Sequence, residues 1–467
     1  MTPLTTQYPH QHAVVIGGSI AGLLAARVLS DHFARVTIIE RDRLPDDASF
    51  RSGTPQAHHV HTLLARGQEI IEDLLPGFSA ELETAGAIPF DPTRDVRTLL
   101  PTGWAPSVAS GVRVLAASRA LIESVVRRRV LENPRVQTLQ SHDVIDLEFD
   151  ATGQTVTGVT LRARLERKRA YSLPADFVVD ASGRSSRTPD WLEAHGFGRP
   201  DQDVVTANVG YATRWYTAPP GLERSVWVQT HAPARTRGAL VMPMEDGKMV
   251  VTLFGAADDC PPTDEEGFEA FARSLPTQAV YRLLRAAEPL THVYGFRRTE
   301  NRLRRYDRMA RFPDGLAIMG DACAALNPSG GQGMTAAALE ALALDTTLRA
   351  QRSLTGAGRA FQKRLARDIG PLWQATADND RRWPGSEGGQ PGLRARVRHW
   401  YTDRLRARFT LCPDLYVRFV RAAHGVEAGR SLYSPRAAAS VLYAALRPKQ
   451  QPAPVLQTQE MRRAQIA

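Results

Sequence analysis

The stretch that most constrains this chain is its first forty residues, where Ala13-Val14-Val15-Ile16 runs into Gly17-Gly18-Ser19-Ile20-Ala21-Gly22. Four apolar residues in a row read as a short buried strand, the glycines as a turn, and the Ala- and Leu-rich run from Leu23 to Leu29 as the start of a helix. Val36-Thr37-Ile38-Ile39, ending in Glu40, is a second buried strand, so about thirty residues make one βαβ unit. Such a turn needs small residues so that backbone can approach a diphosphate, whose charge then meets the free N–H groups and dipole of the helix start. Gly17 supplies the tight turn and Gly22 the close helix–strand packing; Gly18 and Ala21 line the loop, and Ser19 stands where a GxGxxG pattern has its middle glycine. Glu40, with Arg41 beside it, is placed to accept a hydrogen bond from a ribose hydroxyl. A carboxylate there disfavours a 2′-phosphate, so the site suits the adenosine of FAD or NAD.

A chain of 467 residues suits two or three interleaved domains. Its net charge of +10 comes from arginines scattered along the sequence, with lysine only at Lys168, Lys248, Lys363 and Lys449. There is no basic tail and no interleaving of aromatics with arginine, so no nucleic-acid partner is expected. The longest apolar run, Ala13 to Leu29, holds three glycines, a serine and an arginine, which argues against stable membrane insertion. The opening MTPLTTQYPH lacks a basic and an apolar leader region. Cys260, Cys323 and Cys412 are too few and too scattered for a disulfide framework or a metal knuckle, and the expected location is the cytoplasm.

Further along, helices are predicted from about Leu63 to Leu75 and from Ser118 to Leu131, each stopped by a proline-bearing turn. Val136 to Phe177 alternates like a meander with turns at Gly153 and Gly158, and Phe177-Val178-Val179-Asp180 is another buried strand. From Val204 to Val293 alternating strands dominate, broken by an amphipathic helix near Phe268 to Leu275. Leu316-Ala317-Ile318-Met319 is a fourth buried strand, with a long helix from Gly333. Pro384 to Gly392 reads as a loop in a helical C-terminal region, and the tail after Pro448 as frayed.

The segment GLAIMGDACAALNPSGGQGMTAAALEALAL resembles the second FAD fingerprint of the flavin monooxygenase superfamily. That resemblance implies an α/β chain in which a Rossmann-like FAD-binding domain (10–195 and 296–370) is interleaved with a β-sheet substrate domain (196–295), followed by C-terminal helices (371–467). It assigns Asp321 to a ribityl hydroxyl and Pro328 to the flank of the isoalloxazine. Gly331, Gly333 and Met334 would direct amides and a helix start at the ring, where oriented donors stabilise the reduced flavin's negative charge. Arg119 matches the family's arginine that reaches the FAD diphosphate. In VVDASGRSSRTP, Gly183, Ser186 and Arg187 keep the family's middle motif, but Ser182 replaces its Asp and Pro189 its last Arg, which bears on NAD(P)H docking. Asp180 either contacts the cofactor or caps the following turn.

GTPQAHHVHTLLARGQEIIEDLLPGF resembles a bacterial subgroup that includes squalene-epoxidase-like enzymes acting on polyene precursors of polyethers. By position Gln56, His59 and His61 would approach the flavin. The three histidines have no acidic or Cys partner nearby, so no metal is expected. The resemblance implies a monooxygenase using FAD and O2, through a flavin C4a-hydroperoxide, on a small apolar substrate of secondary metabolism, with epoxidation of an alkene foremost. Electrons would come from NAD(P)H or a partner flavin reductase. Hydroxylation of a phenol-type ring, or alkene reduction of the geranylgeranyl-reductase type, are the alternatives; no Trp-x-Trp stretch of the tryptophan halogenases occurs. Tyr211, Trp215, Trp227, Met242, Met244 and Phe254 are candidate walls or core.

Overall fold

The computed structural model describes residues 10–164, 169–222 and 224–446, so the tail expected to fray lies outside the described residues. The βαβ unit forms as the apolar runs dictate, with strand His10–Ile16, helix Ile20–Leu29 and strand Phe33–Glu40. These strands join Val136–Gln140, Phe177–Asp180 and Leu316–Ile318 in a parallel five-stranded sheet. His10–Ile16 lies at the centre, next to Phe33–Glu40 on one side and Phe177–Asp180 on the other. All five carboxyl ends therefore share one edge, and the crevice where the strand order reverses opens beyond Ile16, the usual place for a ligand in an open α/β sheet. Helices Ile20–Leu29, Arg119–Leu131 and Gly333–Ala350 bury apolar faces in the same core. Ser118 caps its helix by accepting a hydrogen bond from Leu121 N–H at 3.0 Å.

A second sheet has seven strands, in the order Tyr294–Phe296, Gly210–Thr217, Lys248–Gly255, Gly238–Met244, Ser225–Val228, Val96–Leu100, Gly103–Trp104. Its last two strands come from residues 96–104, inside the stretch 10–195 that the sequence gives to the other domain, and Val96–Leu100 pairs parallel with Ser225–Val228. Alternation sorts its two faces. Ala212, Tyr216, Val241, Met249, Val251 and Leu253 pack under helices Glu265–Arg273 and Ala279–Arg285. Tyr211, Thr213, Trp215, Val250, Thr252 and Met242 point the other way. Trp215, Val250, Met242 and Met244 pack there with Phe50 and Val60.

Two expectations are corrected, and one left open is decided. Gly158 lies within the strand Val156–Ala163 and not at a turn: a Cβ there would stand 2.6 Å from the Leu173 carbonyl oxygen of the neighbouring strand. The single helix expected near Phe268 is two, separated at Ser274 to Gln278. Asp180 caps its own turn, accepting from Ser182 N–H at 2.9 Å, Ser186 Oγ at 2.5 Å and Thr188 Oγ1 at 2.6 Å, so its carboxylate is engaged within the fold.

The C-terminal helices wrap round. Helix Ala357–Asp380 buries Phe361, Leu365, Ile369, Trp373 and Ala377, one residue per turn, against the first core. Helices Leu393–Arg406, Pro413–Ala423 and Pro435–Leu446 close over Leu100 at the edge of the second sheet. Among the described residues no helix is long and apolar enough to cross a membrane.

Candidate active site

Gly17 adopts φ +103°, and a Cβ on it would lie 2.6 Å from the Ala181 carbonyl oxygen. A Cβ at Gly22 would collide with the Gly17 carbonyl, so neither position admits another residue without moving backbone. Both observations describe a turn stripped of side chains at the carboxyl edge of the central strand. Gly18 N–H donates to Glu40 Oε2 at 2.8 Å, and Glu40 also accepts from Asp42 N–H at 3.0 Å. Arg41, expected beside the ribose, is exposed. Ser19 Oγ donates to Glu123 Oε2 at 2.8 Å and accepts from Arg119 Nη2 at 2.9 Å, which sets the buried Arg119 against the phosphate-type turn.

One cation the sequence reading missed is Arg51. It lies 3.3 Å from Glu40, 2.9 Å from Asp42 and 2.9 Å from Glu123, and reaches the Gly18 carbonyl at 3.4 Å. Burial alone would raise the Glu123 carboxyl, but Arg119 and Arg51 override it and hold the group ionised. A lone arginine in a loop carries no periodic signal; only its carboxylate partners reveal it, above all Glu123, 72 residues away in sequence.

The second fingerprint arrives at the same place. A Cβ on Gly320 would stand 2.9 Å from Ala21, so the Gly-Asp turn abuts the first glycine loop. Gly320 N–H donates to the buried Glu340 carboxyl, whose pKa burial pushes up to about 8. Asp321 faces Arg184 at 3.4 Å, with its side chain 46% accessible. Desolvation still raises its pKa, against that arginine. Arg184, also missed, donates to the Glu300 and Leu326 carbonyls at 2.8 and 2.9 Å. Gly183 beside it meets open space.

Beyond Asp321, Pro328–Gly330 form an exposed turn, Gly331 comes near the Thr62 carbonyl, and Gly333 opens its helix unobstructed. The Met334 side chain is buried in the core, so only its backbone can serve a ligand. Gln56 lies in a short helical turn, Pro55–His58, which its carbonyl closes by accepting from His59 N–H at 3.1 Å. His59 Nδ1 bonds Thr213 Oγ1 at 2.7 Å, linked in turn to Thr252 Oγ1 at 2.7 Å, and burial drives its pKa down to about 3. His61 donates from Nδ1 to the His59 carbonyl at 2.9 Å; burial, then Arg119, lower it to about 4. His58 stacks on Tyr294 at 3.9 Å. The three rings thus diverge, and among the described residues no group of three or more His, Cys, Asp or Glu could hold a metal ion.

Segment 56–64 therefore runs between the Gly331 turn and the inward face of the second sheet, where Trp227, Leu240 and Phe254 stay half-buried although their strands have neighbours on both sides. From the other flank His424 accepts from Ala65 N–H at 3.4 Å and Gln332 reaches the Ala423 carbonyl at 3.4 Å. The elements fit FAD: a side-chain-free turn for its diphosphate, buried arginine beside it, an accessible carboxylate next to that turn, and an open helix start at Gly333 for the ring.

The family model described as FAD binding domain matches residues 10–361. Protein Rv3254 of Mycobacterium tuberculosis is 36% identical over 382 residues, covering 80% of each chain. A putative 2-heptyl-3-hydroxy-4(1H)-quinolone synthase, AqdB1, of Rhodococcus erythropolis is 29% identical over 74% of this chain and 81% of its own. Kynurenine 3-monooxygenase of Salinispora arenicola is 26% identical over 75% of each. Among solved structures, the flavin-dependent brominase Bmp2 superposes with a TM-score of 0.64 at 17% identity, covering 93% of this chain and 98% of its own. PqsL of P. aeruginosa in complex with 2-aminobenzoylacetate gives 0.59 at 16%, covering 89% and 99%.

Proposed function

The chain belongs to the FAD binding domain family and is an FAD-dependent oxidoreductase of the monooxygenase kind, and from that premise we propose that it adds one oxygen atom of O2 to an apolar alkene. The observation that carries this reading is the approach of Gly320 to Ala21, which brings the two fingerprints together, with Gly331 against segment 56–64 and that segment against the half-buried apolar face of the second sheet. Bound FAD supplies the two-electron chemistry that activates O2. Gly17, Gly18, Ser19, Ala21 and Gly22 would hold its diphosphate with Arg119, Asp321 a ribityl hydroxyl, and the amides of Gly331 to Met334 the ring edge. Trp227, Leu240, Phe254 and Met242 would form the substrate wall, and the C-terminal helices exclude water.

His59 and His61, lowered to about 3 and 4, are neutral imidazoles and weak bases near neutral pH. That suits epoxidation, which removes no proton from the substrate. Hydroxylation of an aromatic ring is the second reading, favoured by the names of the quinolone and kynurenine relatives. Electrons come from NAD(P)H or from a separate flavin reductase; the Ser182 and Pro189 departures favour the reductase.

The experiment is to purify the protein, record its visible spectrum, and add NADH or NADPH without oxygen. Oxygen uptake is then measured with alkene or phenol candidates, together with product mass. Yellow protein and uptake coupled to a product one oxygen heavier support the reading. Substrate reduction without oxygen uptake overturns it in favour of an alkene reductase.

A further inference from the structure

We propose that Asp380, in the helix that follows the FAD-binding segments, is the positioning residue of the turn Asn327–Ser329 and so shapes the flavin-ring end of the site; this rests on the reading above. A single carboxylate oxygen, Asp380 Oδ2, accepts from Asn327 Nδ2 and from Asn301 Nδ2, each at 2.7 Å. Asn301 Oδ1 accepts from Asn327 N–H at 2.8 Å, and Asn327 Oδ1 from Ser329 N–H at 2.9 Å. Backbone and side chain of Asn327 are thus fixed together, immediately before Pro328. All three residues of the triangle are buried, Asp380 at 1% exposure.

The location is costly for a carboxylate. It ends helix Ala357–Asp380, where the macrodipole already places negative charge, and burial pushes its pKa up to about 7 against the two amide bonds. Arg381, the next residue, favours its charge; the buried Tyr211 hydroxyl of the second sheet, which has no hydrogen-bond partner among the described residues, feels the Asp380 charge. Core packing alone would not keep an acid there. Its two amide donors account for it, and they tie the C-terminal helix to the ring-binding turn across 53 residues of sequence.

The test uses full-length apoprotein titrated with FAD, read by flavin fluorescence and by the visible spectrum of the bound form. Asp380→Asn retains an oxygen acceptor and should bind FAD within about threefold of wild type. Asp380→Ala and Asn327→Ala leave buried polar groups unpaired, and each should weaken binding at least about tenfold and alter the bound-flavin spectrum alike. Because both act through one triangle, the double variant should be no weaker than either single one. Should Asp380→Ala fail to fold, Asn301→Ala replaces it in the same cycle. Wild-type affinity and spectrum in the alanine variants, or losses that multiply in the double variant, overturn the positioning role. Wild-type protein that takes up no FAD overturns instead the functional reading beneath it.

Discussion

Glu340→Gln isolates the energetic burden of holding the Gly320–Asp321 turn. Glu340 is 1% exposed and accepts from Gly320 N–H; burial raises its pKa from 4.5 to about 8, with the Asp321 charge adding to the rise. The folded chain therefore keeps a proton that the unfolded chain releases above about pH 4.5. With more protons bound when folded, stability falls as pH rises through the interval between the two pKa values. Between pH 6 and 8 this one group removes about 2 kcal/mol, at about 1.4 kcal/mol per unit of separation. Asp380, raised to about 7, adds roughly 1 kcal/mol in the same direction. Glutamine has nearly the same volume and still offers an oxygen to Gly320, so the substitution deletes the titration and little else. Urea denaturation of apoprotein at pH 6, 7 and 8 measures it: the wild type should lose stability with pH by about 2 kcal/mol more than the variant. Histidine titrations are common to both proteins and cancel in the difference. An unchanged slope in Glu340→Gln refutes a protonated Glu340 and the burial argument with it.

Gly22→Ala drives a methyl group into the Gly17 carbonyl and should cost about 1–3 kcal/mol of stability together with FAD affinity, read by thermal melting and flavin fluorescence. Asp321→Ala should yield largely colourless protein; retained stoichiometric FAD would remove its assigned role. Arg51→Ala leaves Glu40, Asp42 and Glu123 buried without their shared cation and should destabilise by about 3–5 kcal/mol, more than Arg41→Ala at the exposed neighbouring position. His61, lowered to about 4, stays neutral from pH 5 to 8, so any inflection of the pH–rate profile in that window should survive His61→Gln.

The glycine turns were legible in the sequence because their chemistry is local: strand, turn, helix and acid follow one another within one βαβ unit, and the same grammar recurs at Leu316 to Gly333. Arg119 was legible only through resemblance. Arg51, Arg184 and Asp380 were not, since each acts through partners far away in sequence, such as Arg51 with Glu123 and Asp380 with Asn327. Alternation in Gly210–Thr217 marked two faces without saying which lies under helices; Tyr211 and Trp215 belong to the inward one. Asp180, open between two roles, is settled by its three donors as a turn cap.

The parallel pairing of Val96–Leu100 with Ser225–Val228 bears on how this protein could be re-engineered. A chimera that imports residues 196–295 from a relative in search of a new substrate range would leave the recipient's own strands grafted on a foreign edge, their cross-strand neighbours mismatched. Transplanting residues 96–104 along with it keeps the sheet whole, and it is that two-piece cassette, not the contiguous one, that evolution or a designer must exchange.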